Sequence, residues 1–258
     1  MITLPEHPDV VFDKAPLVAV RCRATFSPVL SLMTSAGVAG IQEALRSEYP
    51  SYEERRRASF TFTNEIGIEH QPPVHSLQSQ DGWRVDVTTT SVELSALGAA
   101  YSTSGEFLAR FDRIAQVVAR TVAPGPTSRL ALSKENKLRH PDVKAPADWN
   151  GLLSSLLVQP FSDFAAHSPD GCRPHGASTL HFHGDDQILD VTYGVELQSP
   201  ETFDLVISRW TDRPYDLESS TEMIDVLREF ADGATSIFHF LLEDDMKAYL
   251  QPKARELA

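Results

Sequence analysis

The densest group of residues able to hold a metal ion or move a proton is His181-Phe182-His183, followed by Asp185 and Asp186 and preceded by Cys172 and His175. On a strand, side chains two residues apart emerge on one face, so His181 and His183 can meet one divalent ion, with the carboxylate of Asp185 completing the set. That chemistry belongs to a metal-dependent hydrolase. A polar strand face entering an acidic hairpin turn has the same composition, and the lack of a further spaced ligand motif favours this second reading.

Arg55, Arg56 and Arg57, with Arg46 nearby, form the dense basic cluster of the chain. Their guanidinium groups can grip a phosphate or an acidic partner by bidentate hydrogen bonds. They equally suit a solvated helix end, where cations offset the negative pole of the macrodipole, and that reading is favoured. Glu243, Asp244 and Asp245, with Glu218, Glu222, Asp225 and Glu229 upstream, can hold a metal or act as acid and base, but they fit an exposed helix face better. His239, between Phe238 and Phe240, reads as a packed histidine. The sequence contains no GxxxxGK[ST] phosphate loop, GxGxxG turn, GxSxG elbow or HExxH pair, so no catalytic residue is assigned.

The elements that would position these residues follow from periodicity. Alternation after Pro16 predicts a strand ending near Pro28, and Val38, Ile41, Leu45 and Tyr49 predict a helix from about Ser35 to Tyr49. Phe60, Phe62, Ile66 and Ile68 predict one strand, closed by Gln71-Pro72-Pro73. Asp81-Gly82 introduces a hairpin over Trp83, Val85 and Val87 and then Val92 and Leu94. Ser104 caps a helix striped by Phe107, Phe111, Ile114, Val117 and Val118, which Pro124-Gly125-Pro126 ends.

Leu130 and Leu132 then predict a strand, followed by a polar stretch through His140-Pro141. A short helix capped by Asp148 should stop before Pro160, and Ser168-Pro169-Asp170-Gly171 should turn. Three strands follow over Ala177–His183, Ile188–Leu197 and Thr202–Trp210. A long helix from about Ser220 to Leu250, with Gly233 as its kink, closes the chain. Both halves read strand, helix, three strands, helix, with the break between 1–124 and 125–258. The expected class is α+β, with antiparallel sheets packed by helices in two structurally similar halves.

Among 258 residues, 41 % are hydrophobic and 23 % charged, as in ordinary globular chains. A formal net charge of −13 opposes docking on a phosphate backbone and makes nucleic acid an unlikely partner. Cys22 and Cys172 lie far apart, as suits a reducing compartment. The segment Met1–Lys14 lacks a basic start and an apolar run, so a cytoplasmic location without membrane contact is expected.

Phe12, Ala15-Pro16-Leu17, Val20 and Phe26, Tyr49-Pro50, Asp81-Gly82, Leu94, Tyr101, Phe107 and Arg129-Leu130-Ala131-Leu132 followed by Asn136 together resemble a sporadically distributed family of uncharacterised bacterial proteins of about this length. The resemblance spans nearly the whole chain. Family members look like Arg, apolar, Gly, Leu, Arg, Tyr, apolar, Asn in the last segment; here Ala131, Ser133, Lys134 and Glu135 depart from it, so an activity carried there would be lost. The resemblance implies Arg129 and Asn136 as further contacts to an anion or partner, and a link to mobile or defence genes. Missing catalytic motifs point to a non-enzymatic protein that binds a protein partner or small ligand, as a monomer or a homodimer, with no cofactor. The alternative is the hydrolase centred on a divalent metal at His181 and His183.

Overall fold

Alternation over Leu17–Phe26 has the expected result in the computed structural model, which describes residues 10–56, 58–62, 66–167, 176–196 and 199–254. Val20, Cys22, Ala24 and Phe26 are buried, while Arg21, Arg23 and Thr25 lie on the other face. In chain order the elements begin with β1 (Val10–Phe12), β2 (Leu17–Phe26), α1 (Ser35–Leu45), β3 (Ser51–Arg55), β4 (Ala58–Phe62) and β5 (Ile66–His70). They continue with β6 (Val74–Gln78), β7 (Trp83–Val87), β8 (Ser91–Leu97), α2 (Ser104–Val122) and β9 (Thr127–Arg139). The rest are α3 (Ser155–His167), β10 (Gly176–His183), β11 (Ile188–Glu196), β12 (Ser199–Thr211), α4 (Thr221–Leu241), α5 (Asp244–Leu250) and β13 (Pro252–Ala254).

The fold is α+β. Nine strands form one sheet in the order β10-β11-β12-β9-β2-β8-β7-β6-β3, and β1-β13 and β4-β5 form separate two-stranded sheets. The pairings β10/β11, β2/β8, β3/β6, β6/β7 and β7/β8 are all antiparallel. Outward from β9 the order is 9, 12, 11, 10, and outward from β2 it is 2, 8, 7, 6, 3. Within this sheet each half places its first strand beside its last and then counts back, but between its helices the first half carries six strands, β3 to β8, where three are expected, and the second carries three, β10 to β12.

The chain forms two compact units, Ala19–Leu132 with Trp210–Glu229, and Met1–Val18 with Ser133–Arg209 and Phe230–Ala258. In the first unit Val38, Ile41 and Leu45 of α1 and Phe107, Phe111, Ile114 and Val118 of α2 are buried. The ring centroids of Trp83 and Phe107 lie 5.9 Å apart. In the second, Trp149, Leu157, Phe161, Leu189, Tyr193 and Phe203 belong to one apolar cluster, with Trp149 and Phe203 5.4 Å apart.

Several local expectations change, each for a physical reason. Phe60 to Ile68 is a hairpin, β4 and β5, and not a single strand. Strands β3 and β6, unmarked by long apolar runs, lie between α1 and β7. Thr103, and not Ser104, caps α2, its side chain accepting from the Glu106 amide at 3.1 Å. The polar stretch after Leu132 continues β9 to Arg139, because the strand has sheet neighbours on both sides.

Asp148 is not the cap of a helix: it lies inside a single 3-10 turn over Pro146–Trp149 whose N-cap is Ala145, and its carboxylate accepts from the Lys144 and Ala145 amides at 2.8 Å each, while α3 begins only at Ser155. Pro160 sits inside α3; burial of Leu157, Val158 and Phe161 offsets the one hydrogen bond it removes. The final long helix is two helices. Gly233 is an interior residue of α4, and the break falls at Leu242–Glu243, where Ser154 donates to the Leu241 carbonyl at 2.9 Å and Glu243 to the Leu152 carbonyl at 3.0 Å. Backbone groups that would have continued the helix are taken by that neighbouring segment.

Candidate functional site

Strand β10 is the outermost strand of the sheet at one end, and its sequence Gly-Ala-Ser-Thr-Leu-His-Phe-His contains no Asp, Glu, Lys or Arg. Ala177, Ser178, Thr179, His181, Phe182 and His183 are exposed, Phe182 to 44 %. Among the described residues, the strand is paired on one side only. Its register to β11 sets Leu180 opposite Val191 and Phe182 opposite Leu189 on the apolar face, and Thr179 opposite Thr192 and His181 opposite Asp190 on the other. The Thr179 and Thr192 hydroxyls lie 3.0 Å apart.

The turn fixes which backbone groups are free of this ladder. Gly184 donates to the Gln187 carbonyl at 2.8 Å, and hydrogen-bonded pairs alternate with non-bonded pairs in an antiparallel ladder. His183/Ile188, His181/Asp190, Thr179/Thr192 and Ala177/Gly194 are therefore the non-bonded pairs. The N–H and C=O groups of Ala177, Thr179, His181 and His183 point away from β11, toward an edge where, among the described residues, no further strand pairs.

His181 and His183 do share one face of β10, as expected. His181 Nδ1 lies 2.8 Å from Asp190 Oδ1, a partner that sequence spacing did not mark because it comes from the neighbouring strand. Asp185 and Asp186 are exposed in the turn. Cys172 and His175, like the turn expected at Ser168–Gly171, fall outside the described residues. Among the described residues, no three His, Cys, Asp or Glu side chains converge as a metal site would need.

The arginine cluster is separated by the fold. Arg55 ends strand β3, which corrects the expectation of a helix end: α1 stops at Leu45, ahead of Pro50. Arg55 Nη2 donates to Ser76 Oγ at 2.6 Å and to Asp86 Oδ1 at 3.1 Å, and Arg84 Nη2 reaches Asp86 Oδ2 at 3.0 Å. Ser76 also donates to Asp86. One mostly buried carboxylate thus serves two guanidinium groups and a hydroxyl. Arg56 makes a surface pair with Glu54, and Arg57 lies outside the described residues.

Arg129 and Asn136 are both engaged within the fold. Arg129 forms two hydrogen bonds with Asp212, at 2.7 and 3.2 Å, and stacks 4.0 Å over Trp210. The Asp212 hydrogen bond holds the guanidinium pKa above its ordinary value. Asn136 donates from Nδ2 to the Leu205 carbonyl at 3.4 Å, a stitch inside the sheet.

The remaining candidates have structural roles. Glu243 is the N-cap of α5 and Asp244 and Asp245 occupy its first turn, where the positive pole of the helix favours carboxylates. Glu222 pairs with Arg213 and Asp225 with Arg228, all exposed. His239 is buried and stacks on Phe12 at 5.0 Å. Cys22 is buried too, and burial, with the nearby Glu93 charge, pushes its thiol well above the ordinary value, as in an inert core cysteine. An open depression of about 460 Å³ lies beside the end of α2, with Asp216 and Glu218 as its charged lining.

No family model matches the chain, and no curated protein matches it. Among solved structures it is similar to a crystal structure of the di-domain ARO/CYC StfQ from the steffimycin biosynthetic pathway. The two are 12 % identical, covering 89 % of this chain and 99 % of that one, with a TM-score of 0.19. Among the described residues, no helix is long and apolar enough to cross a membrane.

Proposed function

We propose that this chain is a non-enzymatic binding protein that takes an extended segment of a protein partner onto the outer edge of β10. The observation that carries this reading is an eight-residue terminal strand without a formal charge, exposed on both faces. Sheet edges in natural proteins are ordinarily blunted by charge, proline, a bulge or a cover, because an open row of N–H and C=O groups recruits another strand. Strand addition draws affinity from that row and specificity from alternate side chains. A cytoplasmic setting belongs to the same reading, as does a partner other than nucleic acid, given a net charge of −13.

Selection of random extended peptides on the intact protein tests it, with Thr179→Pro as the counter-selection. Thr179 sits in a non-bonded pair with Thr192, so proline there removes an outward donor and leaves the β11 ladder intact. Peptides that bind the parent and are lost on Thr179→Pro are expected. Binders that ignore the substitution, or no binders at all, would overturn the reading.

The hydrolase alternative draws on His181 and His183 sharing one exposed face beside Asp190. Elemental analysis of protein purified without chelator addresses it directly. A stoichiometric divalent metal, lost from the His181→Ala/His183→Ala double variant, would move it ahead.

A further inference from the structure

We infer that the strand β10 receives is the β10 of a second copy of this chain, related by a two-fold axis normal to the sheet and centred on Leu180. The inference rests on the edge-docking reading above. Its basis is that β10 is complementary to itself when reversed. The strand runs from small residues, Gly176, Ala177, Ser178 and Thr179, to large ones, Leu180, His181, Phe182 and His183.

In an antiparallel pair centred on Leu180, Ala177, Ser178 and Thr179 each meet a large residue; in an in-register parallel pair like meets like. A two-fold axis normal to the sheet preserves its faces, so only residues of equal parity can lie opposite one another. Centring on Leu180 sets Phe182 opposite Ser178 of the second copy on the apolar face. His181 then lies opposite Thr179, and His183 opposite Ala177, on the polar one.

The backbone agrees with this register. Ala177, Thr179, His181 and His183 carry the outward groups, and the register pairs Ala177 with His183 and Thr179 with His181. All four residues therefore fall in hydrogen-bonded positions, giving about eight N–H···O bonds across the axis. Phe182, 44 % exposed in the single chain, gains cover from the same contact.

Charge favours this edge over the opposite end of the same sheet, where β3 carries Glu53, Glu54 and Arg55. Two copies each carrying −13 repel one another, and β10 lets them meet backbone to backbone with no Asp or Glu within the strand. The acidic turn at Asp185-Asp186 follows the strand, so the repulsion left over is screened by salt. Association through β10 should therefore tighten as ionic strength rises.

The experiment is sedimentation velocity from about 1 to about 100 µM, at low and high salt, alongside backbone hydrogen exchange of the same samples. A concentration-dependent dimer, tighter in salt and weakened about a hundredfold by Thr179→Pro, is expected. Ala177→Lys, an exposed position that would face His183 of the second copy, should weaken it too and guards against a folding defect in the proline variant. A dimer indifferent to both substitutions overturns the inference.

A monomer at every concentration whose Ala177, Thr179, His181 and His183 amides exchange freely overturns the second copy and leaves the edge open to another protein. A monomer whose outward amides are protected overturns both readings, because the chain itself then covers the edge.

Discussion

At one end of the nine-stranded sheet β3 presents Ser51-Tyr52-Glu53-Glu54-Arg55 directly after Pro50; at the other, β10 presents eight residues without Asp, Glu, Lys or Arg. Both are outermost strands and face the same hazard of recruiting a further strand. β3 meets it with short length, three charges in five residues and a preceding proline, which are devices that keep an edge unpaired. It is also tied inward, since Arg55 reaches Asp86 on β7. β10 is longer and uncharged, and its polar ties to β11, Thr179–Thr192 and His181–Asp190, are exposed. One sheet thus ends in a guarded edge and an unguarded one. The proposed binding role rests on this asymmetry and not on a cluster of reactive side chains.

The largest effect that would sharpen the contrast lies at the guarded end. Asp86→Ala leaves Arg55 and Arg84 crowded together on one face, without the carboxylate they share. Charged hydrogen bonds are lost and part-buried guanidinium groups are left uncompensated, so the variant should lose about 2 to 3 kcal/mol of stability. Urea unfolding measures this, with the β3 end of the sheet exchanging its amides first. A loss below about 0.5 kcal/mol would mean that the network does not anchor β3.

Next in size is the effect of removing the guard. Glu53→Val with Glu54→Val turns the strand into Ser-Tyr-Val-Val-Arg, raising its β-propensity while deleting two of its three charges. Self-association should strengthen about tenfold over the parent, and it should survive Thr179→Pro because it runs through the other edge. Sedimentation of the double variant, with and without Thr179→Pro, reads both outcomes. No gain in association would show that charge is not what keeps β3 unpaired.

The sequence announces one of these edges far better than the other. Period-two alternation in β2, β7, β11 and β12 is strong because one face of each strand is buried in the core, and the antiparallel α+β class follows from it. β3 has no such pattern, and the run Arg55-Arg56-Arg57 reads as a helix end: nothing in it says that Asp86, from a strand beyond β6, claims Arg55. The same limit hid Asp190 from the reading of His181. Partners set by strand register lie at sequence distances that local spacing does not encode. The break at Leu242–Glu243 was illegible for a related reason, since it depends on backbone bonds to Leu152 and Ser154. Arg129 and Asn136 were visible as residues, but only their contacts assign them to the inside of the fold.

The smallest predicted effect falls at the unguarded end, where it tests whether β10 is as open as the single chain suggests. Asp190→Ala removes the partner of His181, whose side chain is 59 % exposed. An exposed pair of this kind contributes little, so stability should fall by less than about 1 kcal/mol. Dimerisation should persist, because the bonds across the axis come from the backbone of β10 and Asp190 lies on β11. Urea unfolding and sedimentation of the one variant give both numbers. A cost matching that of Asp86→Ala would mean that the His181–Asp190 pair is sheltered from water in the working protein. The contrast between the two edges would then be a property of the isolated chain alone.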